Sequence, residues 1–236
     1  MNSPEKPRRA GLSEPLLHHF CHDIRVPLTS IGVSAELLAT GRLSAEQAAD
    51  FAHIIARQAL RVGRMIEDLE FTSAEARNAG PGGEFDLSNV SSETVLRMEP
   101  DAAARGVTLK VHPFDCGARG PGWAEFYQSV LFWIVEVGIR VSRAGEVVEI
   151  SFDSVDDRAF SRVRMSAAGL DEAMCAGLAG FSVEAALPDP VRGIAGPLRL
   201  SLDNFMEVGG RVVSELRGDA LEWTLILPDG SSRRAA

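Results

Sequence analysis

The densest chemistry in the chain lies in "FCHDIRVPLTSI", residues 20 to 31. His22 is followed by Asp23; Arg25 stands three residues after the histidine and Pro27 five after it. An unperturbed imidazole, with a pKa of about 6.5, is largely neutral near pH 7 and offers a ring nitrogen as nucleophile. Arg25 falls on roughly the same helical face as His22, where it can offset negative charge. Adjacent helical positions do not face each other, so spacing alone gives Asp23 no direct hold on the ring. Pro27 removes a helical hydrogen bond and crowds the carbonyl of Asp23, a local cost of about 3 kcal/mol. A bend beside the histidine is the expected result. His18, His19, His53 and His112 have no such surroundings and read as ordinary structural residues.

Helices must hold these groups. An apolar stripe runs Leu16, Phe20, Ile24, Leu28, Ile31, Ala35 and Leu38 in steps of three and four, the period of a helix. "ATGRLSAEQ" breaks it: Gly41 suits a helix end, and Ser44 with Gln47 forms a capping-box pattern. A second stripe follows through Phe51, Ile55, Val62, Ile66 and Leu69, with Gln58 and Met65 in the adjacent row. The pattern predicts a helical hairpin over residues 13–77. Two helices with one wide apolar stripe cannot bury it between themselves. A four-helix bundle made by two copies buries it; packing on the chain's own second half is the alternative.

Residues 1–12 read as a disordered lead-in and 78–84, within "NAGPGGEF", as a Gly/Pro linker. Residues 85–229 then mix helices and strands. "DLSNVSSETVLRMEPDAAARG" reads as a helix capped near Ser88, and "VTLKVHPF" as a strand. "WAEFYQSVLFWIVEVGIRVSR" reads as a buried helix, "EVVEISFDSV" and "SRVRMSA" as strands, and "PLRLSLDNFMEVGG" as a helix ending at glycines. "RVVSELRGDALEWTLILP" reads as a closing hairpin, and 230–236 as a solvated tail. With antiparallel connections, this predicts a two-layer α/β sandwich.

Bulk properties narrow the class. The 236 residues carry 45% hydrophobic content, which supports a real core. A net charge of −9 argues against general nucleic-acid binding. Cys21, Cys116 and Cys175 show neither metal-ligand nor disulfide spacing and read as reduced thiols of a cytoplasmic protein. The polar start is no signal peptide, and no apolar run reaches membrane-spanning length, so no membrane insertion is expected. The acceptor pattern at Asn89 has no weight without secretion.

"CHDIRVPLTSIGVSAELL" resembles the phosphoacceptor box of bacterial sensor histidine kinases, commonly H-[DE]-x-R-x-P-L-[TA], at His22, Asp23, Arg25, Pro27, Leu28 and Thr29. The following helix is similar to the family's partner helix, and "AAARGVTLKV" and "GGRVVSE…WTLILP" look like the start and finish of its ATP-binding domain. The resemblance implies an antiparallel hairpin forming a dimeric four-helix bundle, followed by an α/β sandwich of the histidine-kinase ATPase type. It implies that His22 is the phosphoacceptor, with Asp23 orienting or deprotonating its ring and Arg25 beside it. Val26 departs from the family at the position that often holds Thr or Asn, which puts a phosphatase activity in doubt.

The family reads ATP with three boxes, and all three are eroded. In "WIVEVGIRVS", Trp133 and Val137 replace both asparagines of the Mg²⁺-binding box, while Arg140 keeps its basic position. Mg²⁺ wants hard oxygen ligands, and Val137 has none. In "MSAAGL", Met165 replaces the adenine-binding aspartate and Ala167 the first glycine, with Gly169 and Leu170 kept. Losing a charged hydrogen bond of about 1.5–3 kcal/mol weakens binding about ten- to a hundredfold. In "GIAGPL" only Gly193 is in register; Ala195 resists positive φ and Pro197 offers no N–H, although Gly196 lies close by. The lid segment that precedes it is short and poor in basic residues.

A kept phosphoacceptor box beside an eroded nucleotide domain resembles the histidine phosphotransferases built as degenerate kinases, of the ChpT type. About 15 residues precede the first helix, too few for a sensor domain. The resemblance then implies no cofactor and no metal of the chain's own. The partners are response-regulator receiver domains, which bring their own Mg²⁺, with a hybrid histidine kinase upstream. A pseudokinase adaptor that carries no phosphate, and a divergent active autokinase, are the alternatives.

Overall fold

A computed structural model describes residues 14–72, 82–112, 119–155, 158–168, 170, 178, 191 and 193–228. The lead-in, the tail, the start of the linker, most of the lid segment, Gly169, Cys116 and Cys175 lie outside the described residues. Two long helices, α1 (Glu14–Ala39) and α2 (Ala45–Glu70), form the hairpin. The turn between them has Gly41 at φ +65°, which a side chain resists. The capping box is complete: the Gln47 N–H donates to Ser44 Oγ at 3.1 Å and the Ser44 N–H to Gln47 Oε1 at 3.0 Å.

The second half contains β1 (Gly82–Asp86), α3 (Leu87–Ala104), β2 (Thr108–Val111), β3 (Arg119–Gly122), α4 (Ala124–Val141), β4 (Val147–Val155), β5 (Arg158–Ser166), α5 (Ala195–Glu207), β6 (Arg211–Arg217) and β7 (Ala220–Ile226). Five strands form one sheet in the order β2-β4-β5-β7-β6. The pairs β4–β5, β5–β7 and β6–β7 are antiparallel, as expected, but β2 and β4 run parallel. Parallel neighbours need a long crossover, and β3 with α4 supplies it. A separate antiparallel pair joins β1 to β3. Its first strand begins at Gly82, inside the segment read as linker. Helix α3 is capped by Asp86 rather than Ser88: the Asp86 carboxylate accepts from the N–H groups of Ser88 and Asn89 at 2.8 and 3.1 Å.

Helix α4 buries fourteen of its eighteen residues, so it has packing partners on nearly every side. Gly138 lets it approach the sheet; a Cβ there would lie 3.0 Å from Val148 Cγ2. Its other neighbours include the hairpin. Phe20 of α1 and Met65 of α2 join the core of the second half, and Phe71 stacks on Phe126 with ring centroids 4.6 Å apart. The hairpin stripe is therefore divided. Part of it packs on the chain's own second half, while Leu28 and Ile66 stay 50% and 47% exposed.

Polar groups lock this seam. Asp68 is fully buried. Its carboxylate accepts from the Ser129 hydroxyl and, at 2.6 Å, from Trp133 Nε1. Ser129 also bonds Ser201 at 2.6 Å, and Asn204 Nδ2 donates to the Asp68 carbonyl at 2.9 Å. About two turns earlier in α2, Arg61 pairs with buried Glu136 of α4, which also accepts from Arg140 Nε at 2.7 Å. Further along, Arg57 reaches Asp101 of α3 at 2.9 Å. Burial opposes ionisation of Glu136 most strongly, yet Arg61 and Arg140 outweigh it and hold its carboxyl below the usual range. Burial also lowers Arg61, with Glu136 opposing that shift.

Burial pushes Asp68 from 3.8 up to about 7, against its hydrogen bonds from Ser129 and Trp133. The folded chain thus keeps a proton that the unfolded chain has already released. The stability this contributes is complete below the unfolded value and is lost as pH rises through about 7. Urea midpoints of the wild-type chain should therefore fall between about pH 4 and about pH 7 more steeply than those of Asp68→Asn. Equal slopes would show that Asp68 does not titrate in the seam. Arg61→Ala leaves Glu136 with one cation in a dry site and should cost about 3–5 kcal/mol in urea denaturation. A loss below about 1 kcal/mol, the value for a wet surface pair, would contradict that account.

Candidate functional site

The phosphoacceptor box divides between two faces of α1. Phe20, Asp23, Pro27 and Ser34 point inward and are buried, spaced three, four and seven apart as one helical face requires. His22, Arg25, Val26 and Thr29 point outward and are exposed. Pro27 thus contributes its ring to the seam, and α1 is assigned as one helix through it. Thr29 Oγ1 donates to the Arg25 carbonyl at 2.9 Å, a bond back to the preceding turn.

The His22 side chain is 69% exposed, and its Nδ1 lies 3.3 Å from Asp23 Oδ1. Spacing alone did not promise this contact, and the folded chain makes it. An ionised carboxylate can only accept. With Asp23 ionised, the contact is a hydrogen bond only for the tautomer that carries its proton on Nδ1 and leaves the Nε2 lone pair free. Asp23 itself is 8% exposed. Its other oxygen, Oδ2, lies against the amino end of α5, 2.5 Å from where a Cβ on Gly196 would sit. Arg25 forms no ion pair among the described residues.

The residues at the eroded boxes lie in the core or the seam. Val137 is fully buried in α4 and Met165 is 1% exposed at the end of β5. Trp133, fully buried, donates to Asp68 across the seam. Arg140 is tied to Glu136. Ala167 is buried, and its N–H donates to the Asp219 carbonyl at 2.7 Å. Ala195 and Pro197 stand in the first turn of α5 with Gly196 between them. Among the described residues no group of three His, Cys, Asp or Glu side chains is placed to hold a metal ion. No helix among them is long and apolar enough to cross a membrane.

Sequence reasoning missed Asp68, Glu136 and Arg61, which read as ordinary charges on helices. It met Gly196 only as a glycine close to the aligned glycine box. Its one available signal was the absence of a side chain at the start of a helix.

Residues 15–77 match the model of the His Kinase A (phospho-acceptor) domain. No curated protein matches the chain in sequence. Solved structures match its fold. The histidine kinase ThkA, in complex with the response regulator protein TrrA, superposes with a TM-score of 0.58 at 16% identity, over 93% of this chain and 63% of that one. The histidine kinase AdeS of Acinetobacter baumannii gives 0.54 at 15% identity, over 88% and 97%. A bacterial phosphotransferase gives 0.51 at 15% identity, over 89% and 93%. Residues 15–77 thus match a His Kinase A phospho-acceptor domain, and the helical hairpin docked on an α/β domain shares the fold of solved histidine kinase structures.

Proposed function

We propose that the chain is a histidine phosphotransfer protein of a phosphorelay, passing a phosphoryl group between receiver-domain aspartates through His22 without using ATP. One contrast carries the reading. His22 is exposed with its ring tied to Asp23, while Val137 and Met165, at the positions that should hold metal and adenine, are apolar and buried in the core. Trp133, at a third such position, is committed to Asp68.

The transfer is a direct in-line displacement. The Nε2 lone pair of His22 attacks the phosphorus of a receiver's aspartyl phosphate. The N–P bond forms as the acyl-phosphate P–O bond breaks, and the carboxylate leaves with its electron pair. Positive charge that develops on the ring is shared through Nδ1–H with Asp23. The reverse step, onto a second receiver, regenerates the neutral ring. Arg25, on the same outward face, suits the charge of the phosphorylated ring or of an acidic receiver pocket.

A second copy would complete the hairpin. Val26, Leu28, Val33, Leu37, Leu60 and Ile66 are the exposed large apolar side chains among the hairpin's described residues. A dimeric four-helix bundle would take such residues out of water. Leu28→Glu with Ile66→Glu should then convert a dimer to a monomer in sedimentation equilibrium. A wild-type chain already monomeric at micromolar concentration would remove the dimer from the proposal.

His22→Ala should abolish labelling by a phosphorylated receiver and leave the circular dichroism and urea midpoint unchanged. Labelled ATP with Mg²⁺ should leave the wild-type chain unlabelled. Labelling by ATP would make the chain an autokinase. No acid-labile phosphate from any receiver of its genome would make it an adaptor that carries none.

A further inference from the structure

We infer that the amino end of α5 sets the chemistry of the phosphoacceptor, with Gly196 as a positioning residue that seats Asp23 and, through it, decides which nitrogen of His22 is free to react. This deepens the phosphotransfer reading and rests on it for its kinetic arm alone. The geometry is a bridge made by one carboxylate. Oδ1 of Asp23 faces His22 Nδ1 at 3.3 Å. Oδ2 lies where the Cβ of any residue other than glycine at position 196 would be, 2.5 Å away. The carboxylate is buried and the ring is exposed, so the ring follows the carboxylate and not the reverse.

The setting favours a negative charge. A helix start leaves its first N–H groups without intrahelical partners and carries partial positive charge. In α5, Leu198 N–H already donates to the Ile194 carbonyl at 2.9 Å, and Pro197 has no N–H. The N-cap is Ile194, whose side chain makes no capping bond. The carboxylate lying against that turn belongs to Asp23 of α1. Residue 196 needs no unusual backbone conformation. What its missing side chain supplies is room for the carboxylate.

The consequence is a tautomer. A free neutral imidazole prefers its proton on Nε2. A fixed carboxylate beside Nδ1 draws the proton there and leaves the Nε2 lone pair toward solvent, where a receiver would arrive. A side chain at position 196 displaces Asp23 and returns the ring to its solution preference.

The test compares wild type, Gly196→Ala, Asp23→Asn and the double variant as full chains. ¹H–¹⁵N spectra of His22 above its titration give the tautomer. The wild-type ring should be mainly Nδ1–H and the three variants mainly Nε2–H. Transfer from a phosphorylated receiver should slow about ten- to a hundredfold in Gly196→Ala, and Gly196→Ala should add nothing in the Asp23→Asn background. A wild-type ring that is mainly Nε2–H overturns the inference. So does a Gly196→Ala ring that stays Nδ1–H, or a Gly196→Ala effect of equal size in both backgrounds. If the wild-type chain accepts no phosphate, the phosphotransfer reading fails while the spectra still decide the role of Gly196. If Gly196→Ala does not fold, Asp23→Ala with Gly196→Ala must fold as Asp23→Ala does, because the clash is gone; failure of that pair overturns the inference as well.

Discussion

Asp68 takes its carboxylate to a place that water does not reach, and an unpartnered carboxylate there would be costly. Ser129 and Trp133 of α4 donate to it, while from α5 Ser201 bonds Ser129 and Asn204 donates to the Asp68 backbone carbonyl. The hairpin can therefore dock well only where α4 and α5 are already aligned. That requirement reaches as far as His22. Asn204 and Gly196 are eight residues apart on α5, about 12 Å of helix. Holding one end of α5 against Asp68 brings the other end against Asp23 of α1. Asp68 and Asp23 thus meet two ends of the same helix.

How much of this was legible depended on range. Features confined to one turn could be read directly, such as the Ser44–Gln47 cap and the phosphoacceptor box. Helices and strands with clear periodicity were found within a few residues. The parallel pairing of β2 with β4 was missed because registers along single strands do not encode neighbours, and the β1–β3 pair because its Gly/Pro-rich strands resemble a linker. The seam could not be seen at all. Asp68 in "IEDLE" and Arg61 in "ALRVG" look like solvent-facing charges, and their partners lie 61 to 75 residues away. Trp133 was visible as a departure from the nucleotide box, but its donor bond to Asp68 was not.

That bond changes what the departures mean. A box residue lost by drift alone would leave a gap or a loose side chain. Here Trp133 is fully buried with its indole N–H satisfied, Val137 and Met165 fill the core, and Arg140 neutralises Glu136. Trp133, Val137 and Met165 each put a side chain that serves packing or the seam where the resemblance expects one suited to a ligand. Arg140, which keeps its expected type, also serves the seam. Functional sites commonly sit below the stability optimum, so side chains that serve packing at these positions agree with the proposal that the chain works without ATP.

A seam this polar and this buried also limits motion. For a nucleotide domain to phosphorylate a histidine, it must bring its nucleotide to the ring. Here such a swing would break the Asp68 cluster and the Arg61–Glu136 pair together, giving up hydrogen bonds and an ion pair that the docked arrangement supplies. A relay has the opposite need, since its partner carries the phosphate to a ring that should stay still. The docked arrangement meets it: one face of α1 is fixed by Phe20, Asp23 and Pro27, and the other leaves His22 open. The same contacts that hold the second half against the inner face of α1 leave His22 open on its outer face.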